Sequence, residues 1–408
     1  MRKLLVLAVV LRLLVSAFFF HPDIKTYNFQ VSFLRNAGVF NIYSYLIQHK
    51  KELPLKEEFV YFPLTYFTLG AYQIMAAPFL GSNFDSWLAD AGVSSMVKNP
   101  FIFKYLIILK LPYLILDILI AYLLMKFFEE TSNEQSLPLR GKKAWTLWLF
   151  NPFTIILIYV FGNIDIIPTA LTLISLLAAK KGKLAYAAAI LGVAAGFKLY
   201  PLLLLPFLIL KGKDLKERLV LLGIPTAIFS LIFIPFLSKE FVDSALISGL
   251  STRLFYPGLP IGFNETIIVG LVAITGLFFW AYTQDQKVNL LKYWICLLLL
   301  IFSFAHFHIA WLVWIAPFLA ILLVQKPKLK WAILFIALLA FAIPFLYEDR
   351  SMSISLFRVY NTLYDNLPTP FSVIELFYDP YGLQSIFHSI VAGLGLVVIY
   401  KIFMKETV

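Results

Sequence analysis

The chain has 408 residues, 61% of them hydrophobic and only 14% charged, against about 25% charged in an ordinary soluble domain. A soluble fold of this length cannot hide so much apolar surface, so lipid must cover part of it. The net charge of +11 fits basic loops facing anionic lipid rather than nucleic acid, and the single cysteine, Cys296, excludes an intrachain disulfide and a cysteine-based metal cluster.

In chain order, Arg2 and Lys3 precede an apolar run ending at Phe20. No small-residue cleavage site follows, only His21-Pro22-Asp23, so 4–20 reads as an uncleaved first span. Further windows of spanning character fall at 103–128, 144–161, 164–179, 183–197, 199–210, 218–237, 265–282, 289–305, 309–324, 330–346 and 386–403. The windows at 164–179 and 199–210 are short enough to be tilted, broken or re-entrant. The expectation is an all-α polytopic membrane protein with about twelve transmembrane helices (11–13), forming a single domain over 1–408.

The apolar run 59–80 decides the topology, because a crossing there would switch the side of every later loop. If it does not cross, the short loops KKGK (180–183), KGKDLKER (211–218) and QKPKLK (325–330) share one basic side. That asymmetry is what the positive-inside rule demands. The run 59–80 is therefore read as an interfacial or re-entrant segment within a long first outer loop, 21–102. Both termini are then cytoplasmic, and 238–264 and 347–385 are the other long outer loops. Function is expected in these loops and in the charges beneath them.

Asp23 lies at the outer end of the first span, where a less solvated carboxylate makes a better proton acceptor; it also fits a simple helix cap. Lys198, between two apolar runs, is either an anion partner or a snorkelling side chain. Asp165 sits in a tight outer turn with Gly162 and Asn163. Arg12 and Asp117, inside the first and second spans, read as a structural ion pair, with Lys110 able to compete for Asp117. His306 and His308 sit at an outer turn. Their spacing does not suit zinc, which leaves hydrogen bonding to a phosphate or sugar, or an interfacial structural role.

Several stretches fall into a family order: Asp23 followed by GVFNIY (Gly38–Tyr43), YFPLTY (Tyr61–Tyr66), LWLFNPFTI (Leu147–Ile155) with FGNID (Phe161–Asp165), GFKLYPLLLLP (Gly196–Pro206) and HFHIAWLVWIAPF (His306–Phe318). Together they resemble the GT-C superfamily of integral membrane glycosyltransferases, in particular its polyprenyl-phosphate-mannose-dependent mannosyltransferases. The resemblance implies an inverting glycosyltransferase of a prokaryotic plasma membrane, acting at the outer face. It would move one hexose from a polyprenyl-phosphate donor to a lipid-linked or membrane-proximal acceptor. Asp23 would be the catalytic base. Lys198, helped by Arg350 and Arg358, would hold the donor phosphate, and His21, Tyr61, Asp165, Tyr200, His306 and His308 would contact substrate. Many relatives pair two acidic residues in the first loop. Here Asp23 has no acidic neighbour, and only Glu57, Glu58, Asp85 and Asp90 remain as partners, so a divalent cation (Mg or Mn) stays an open expectation. The alternative is a transporter or lipid-linked-sugar flippase that uses the same charges along its path.

Overall fold

The computed structural model describes residues 1–90, 92, 99–129, 137–248, 252–284 and 288–404. The protein is mostly helical, as expected of an integral multi-pass membrane protein. The first helix, Arg2–Phe18, ends at an elbow, and the second, Pro22–Ala37, leaves it at 84°. The elbow is local chemistry. Pro22 holds His21 in an extended conformation, and the His21 ring accepts from the Asp23 N–H at 3.3 Å, a helix start built on proline at its first position. Lys110 reaches across to the Ser16 and Phe19 carbonyls at 3.0 and 2.7 Å, serving acceptors that a helix C-terminus leaves unpaired. Lys110 therefore does not compete for Asp117.

Beyond the elbow, Ile42–Gln48, Pro63–Leu80 and Phe84–Ala89 pack with Pro22–Ala37. Tyr43 donates to the Tyr61 carbonyl at 2.7 Å, Tyr66 to that of Val39 at 2.6 Å, and Gln73 to that of Asn28 at 2.8 Å. Gly38 ends the second helix with φ 61°, the left-handed conformation that glycine adopts at little cost. Pro63–Leu80 is not among the helices long and apolar enough to cross a membrane.

Among the described residues, four helices pass that test by length and composition: Ile102–Glu129, Leu215–Phe236, Pro327–Phe345 and Pro380–Phe403; two bent pairs raise the number to six. Six further apolar helices have only 10–17 residues, or roughly 15–26 Å at 1.5 Å per residue, short of a hydrocarbon core of about 30 Å. The expected windows all contain helix, but these lengths do not by themselves amount to twelve crossings.

The window 144–161 is not one straight helix. It bends by 47° at Asn151-Pro152 and passes into a π-turn over Ile156–Val160. The all-α expectation needs a second correction. Residues Gly258–Gly262 and Glu265–Ile268 form an antiparallel hairpin whose turn residues, Phe263 and Asn264, both have positive φ. That is the twist a two-residue hairpin turn favours, and the Thr266-Ile267-Ile268 run suits a strand. The helix expected from 265 begins only at Val269.

In the bundle, Leu184–Ala195 packs between Ile166–Lys180 and Leu215–Phe233, while Pro380–Phe403 packs on Leu290–Phe304 and Lys330–Phe345. Gly192 allows a close approach there, because a Cβ would meet the Pro225 Cα at 2.8 Å, the small-residue contact typical of membrane helices. The fully buried Arg12 and Asp117 form the expected ion pair. Asp117 also accepts from the Trp148 indole and, at 2.7 Å, from the Tyr159 hydroxyl. Arg12 donates to the Leu149 and Ala8 carbonyls at 2.9 and 3.1 Å. One polar network thus ties the first helix and Ile102–Glu129 to both halves of the broken helix.

Candidate functional site

The elbow contributes one side of a polar cluster, hereafter the chamber. His21 is buried. Its Nδ1 accepts from the backbone, so its proton belongs on Nε2, a buried donor with no partner among the described residues. Burial holds its pKa below the usual histidine value, against the pull of Asp23 and Asp349. Asp23 is the open member of the pair: its side chain is about half exposed (52%), with a carboxylate oxygen 3.7 Å from His21 Nδ1.

A second wall comes from the turn FGNID. Gly162 takes φ 64°, and its carbonyl accepts from Tyr27 at 2.6 Å. Asn163 receives the Asp165 N–H at 2.8 Å and donates to the Ala310 carbonyl at 2.7 Å. These bonds fix Asp165, which is buried. One of its oxygens accepts from the Trp314 indole at 3.0 Å, and the other lies 3.4 Å from the Lys198 ammonium.

Lys198 stands where the chain breaks between the helices Leu184–Ala195 and Tyr200–Ile209. The same break receives the start of Pro63–Leu80, where the Leu64 N–H donates to the Gly196 carbonyl at 3.1 Å. That contact brings the partly buried ring of Tyr61 beneath Lys198, whose nitrogen lies 5.2 Å from the ring centre. The ammonium keeps some access, with 23% of its side chain exposed.

The third wall follows Leu290–Phe304. His308 caps the turn Ile309–Val313, accepting from the Ala310 N–H at 3.2 Å. Burial pushes its pKa down to about 4, and the charges of Asp23, Lys198 and Arg253 all reach it, as does His21. His306 is exposed and lies beside Tyr347, with ring centres 5.1 Å apart, and burial of part of its ring lowers its pKa too. Arg253 donates to the His306 carbonyl at 3.4 Å and lies over the Trp311 ring at 5.8 Å.

A histidine that is neutral when folded and protonates more easily when unfolded makes stability fall as pH drops from about 6.5 to about 4, and adds nothing above that window. Thermal unfolding in detergent should show His308→Asn losing less stability than the parent between these pH values. Parallel curves would remove His308 as an acid-sensitive element.

The structure thus brings together His21, Asp23, Tyr61, Asp165, Lys198 and His308, with His306 at the rim. Other expected site residues are placed differently. Tyr200 lies beneath the chamber, stacked on Trp314 at 4.2 Å, with its hydroxyl near Thr169 and Thr172. Arg350 donates to the Asp365 and Leu367 carbonyls at 2.8 and 2.7 Å, and Arg358 pairs with the Asp365 carboxylate at 2.9 Å. Both arginines therefore brace the loop 347–385 instead of converging on Lys198. That loop reaches the elbow, where the Phe20 N–H donates to the Leu356 carbonyl at 3.2 Å.

Of the four candidate second carboxylates, Asp85 pairs with Arg35, Glu58 pairs with Lys50, and Asp90 accepts from the Gly92 N–H at 2.7 Å. Among the described residues no three His, Cys, Asp or Glu side chains gather closely enough to share a metal, so the cation expectation finds no ligand set there. Arg253 and Trp314 were not expected at the site. Arg253 looks like one more loop charge, and the only signal for Trp314 was its place in the HFHIAWLVW stretch.

The sequence matches the family described as GPI transamidase subunit PIG-U over residues 84–390, a GT-C-like multi-pass membrane family. No curated protein matches the chain. The match corrects the functional expectation. A GPI transamidase subunit belongs to a protein-modifying complex, and is neither a polyprenyl-phosphate-sugar glycosyltransferase nor a transporter. The polyprenyl-sugar donor falls with that reading. The positions of the chamber residues do not depend on it.

Proposed function

Because the chain belongs to the PIG-U family of GPI transamidase subunits, we propose that it is the membrane-embedded lipid-recognition subunit of such an assembly. Its outer chamber receives the polar head of the glycosylphosphatidylinositol to be joined to protein. The observation that carries this reading is the cluster of His21, Asp23, Asp165, Lys198 and His308 at the elbow, with a buried, unpartnered N–H on His21. The packing of the fold does not require such a group, whereas a phosphate or sugar oxygen would satisfy it.

The lipid head offers phosphates to the Lys198 ammonium, hydroxyls to His21, and an amine to the half-exposed Asp23 carboxylate. Aromatic walls suit the apolar faces of sugars. The amide-exchange chemistry falls to other subunits as far as a thiol is concerned: Cys296, the only cysteine, is wholly buried in Leu290–Phe304, and a nucleophile must be accessible. The lysine asymmetry supports cytoplasmic termini, with the chamber on the opposite face and about twelve crossings.

Binding of a glycosylphosphatidylinositol to the purified chain in nanodiscs tests the reading. The variant to use is Lys198→Met combined with Asp165→Asn, which removes the ammonium without stranding a buried carboxylate. A charged hydrogen bond is worth about 1.5–3 kcal/mol, so affinity should fall roughly ten- to hundredfold. Unchanged affinity would sink the proposal.

A further inference from the structure

A second candidate site shares none of the polar residues gathered at the elbow. Between the broken helix around Asn151-Pro152 and the helices Ala316–Gln325 and Lys330–Phe345, the structure holds a cavity of about 640 Å³. The few polar side chains on its wall are turned into their own backbone. Thr146 donates to the Lys142 carbonyl at 2.9 Å, Thr154 to that of Asn151 at 3.0 Å, and Ser303 to that of Leu299 at 2.8 Å. Asn151 accepts from the Phe153 N–H at 3.0 Å. Water entering such a space would find almost no partners. Apolar chains are the occupants that fit.

Depth and charge narrow the occupant. The cavity is lined from Lys330 to Phe341, about 16 Å along a helix at 1.5 Å per residue. That is about one leaflet of a hydrocarbon core roughly 30 Å thick. At one end stand Lys143 and Lys330, both exposed, on the lysine-rich face that also carries Lys326 and Lys328. Among the described residues Lys143 makes no ion pair, Lys330 lies over the Trp331 ring at 5.0 Å, and no acidic side chain lines the cavity. An apolar slot one leaflet deep with two ammonium groups at its mouth matches a lipid with a phosphate head.

We infer that this cavity is a binding site for an anionic diacyl phospholipid of the lysine-rich leaflet, with the phosphate between Lys143 and Lys330 and an acyl chain in the slot. A long polyprenyl phosphate offers the same head. Its chain, however, would run well past one leaflet, so the depth favours the diacyl lipid. The two lysines stand at the far end of the cavity from Phe302 and Leu312, and the inference does not rest on the function proposed above.

Native mass spectrometry of the full chain, released from nanodiscs with equal phosphatidylglycerol and phosphatidylcholine and a trace of polyprenyl phosphate, tests it. The parent should retain one phosphatidylglycerol, enriched on the order of five- to thirtyfold, because a lysine at an anionic surface contributes about a factor of five. Lys143→Gln with Lys330→Gln should abolish the enrichment without changing the melting temperature. Ala337→Phe, which fills the slot, should release lipid of both kinds; if that variant fails to fold, the exposed lysine pair decides the question. Equal retention of the two phospholipids by the parent, enrichment that survives in the double glutamine variant, or preferred retention of the polyprenyl phosphate would each overturn the inference.

Discussion

Asp117→Leu is expected to destabilise the folded protein by about 3–5 kcal/mol, because it leaves the Arg12 guanidinium charged and unpaired at lipid depth. Arg12 and Asp117 are both fully buried, and one Arg12 nitrogen already lacks a partner. Arg12→Leu should cost a similar amount, since the carboxylate would keep only the Trp148 and Tyr159 donors. The double change removes both charges and should recover a large part of the loss, as apolar replacements of buried ion pairs often do. Tyr159→Phe deletes one neutral donor to a charged acceptor and should cost less, about 1.5–3 kcal/mol. The check is a double-mutant cycle read by thermal unfolding in one detergent. Independent, additive losses would mean that the two residues are not partners.

This pair was legible in the sequence, because opposite charges within two spans have few alternatives to meeting each other. Lys110 was ambiguous for a physical reason. Its position identifies it as buried, but only the elbow at Phe19 and Phe20 reveals the helix-end carbonyls it serves. Helix positions were readable from apolar runs, whereas their true extents depend on breaks such as Asn151-Pro152 and on the hairpin at Phe263-Asn264. Hydropathy does not report such breaks. The chamber is partly legible, since the stretches around residues 21, 61, 165, 198 and 308 carry polar side chains at the ends of apolar runs and the fold gathers them. Arg350 and Arg358 were misplaced because charge and an outer loop do not say where a side chain points. Activity was not legible. A pocket for a lipid-phosphate head needs cations, carboxylates and aromatic walls whatever is done with the lipid, so a fold-level likeness does not carry chemistry with it.

Lys198→Met should cost about 3 kcal/mol by itself, which separates this lysine from a snorkelling one. Asp165 is almost wholly buried and would keep only the Trp314 indole. The loss should lie toward the lower end for a broken buried pair, because Lys198 is partly exposed and its charge is already screened by solvent. Adding Asp165→Asn neutralises the stranded carboxylate and retains an acceptor for Trp314, so stability should return. Lipid binding should not return, because the ammonium is still missing. Melting temperature and glycolipid affinity, measured on the two variants in the same nanodiscs, therefore part company if Lys198 serves the ligand. If both properties recover together, the lysine serves only the fold.

The most direct test of the central claim is photo-crosslinking of a glycosylphosphatidylinositol that carries a photoreactive group on its glycan, followed by peptide mapping of the adducts on the full chain. The account predicts adducts on the chamber walls, around Asp23, Tyr61 and His308, which the same glycolipid without the photoreactive group competes away. Adducts confined to other surfaces, or chamber adducts equally well competed by phosphatidylinositol lacking the glycan, would contradict it.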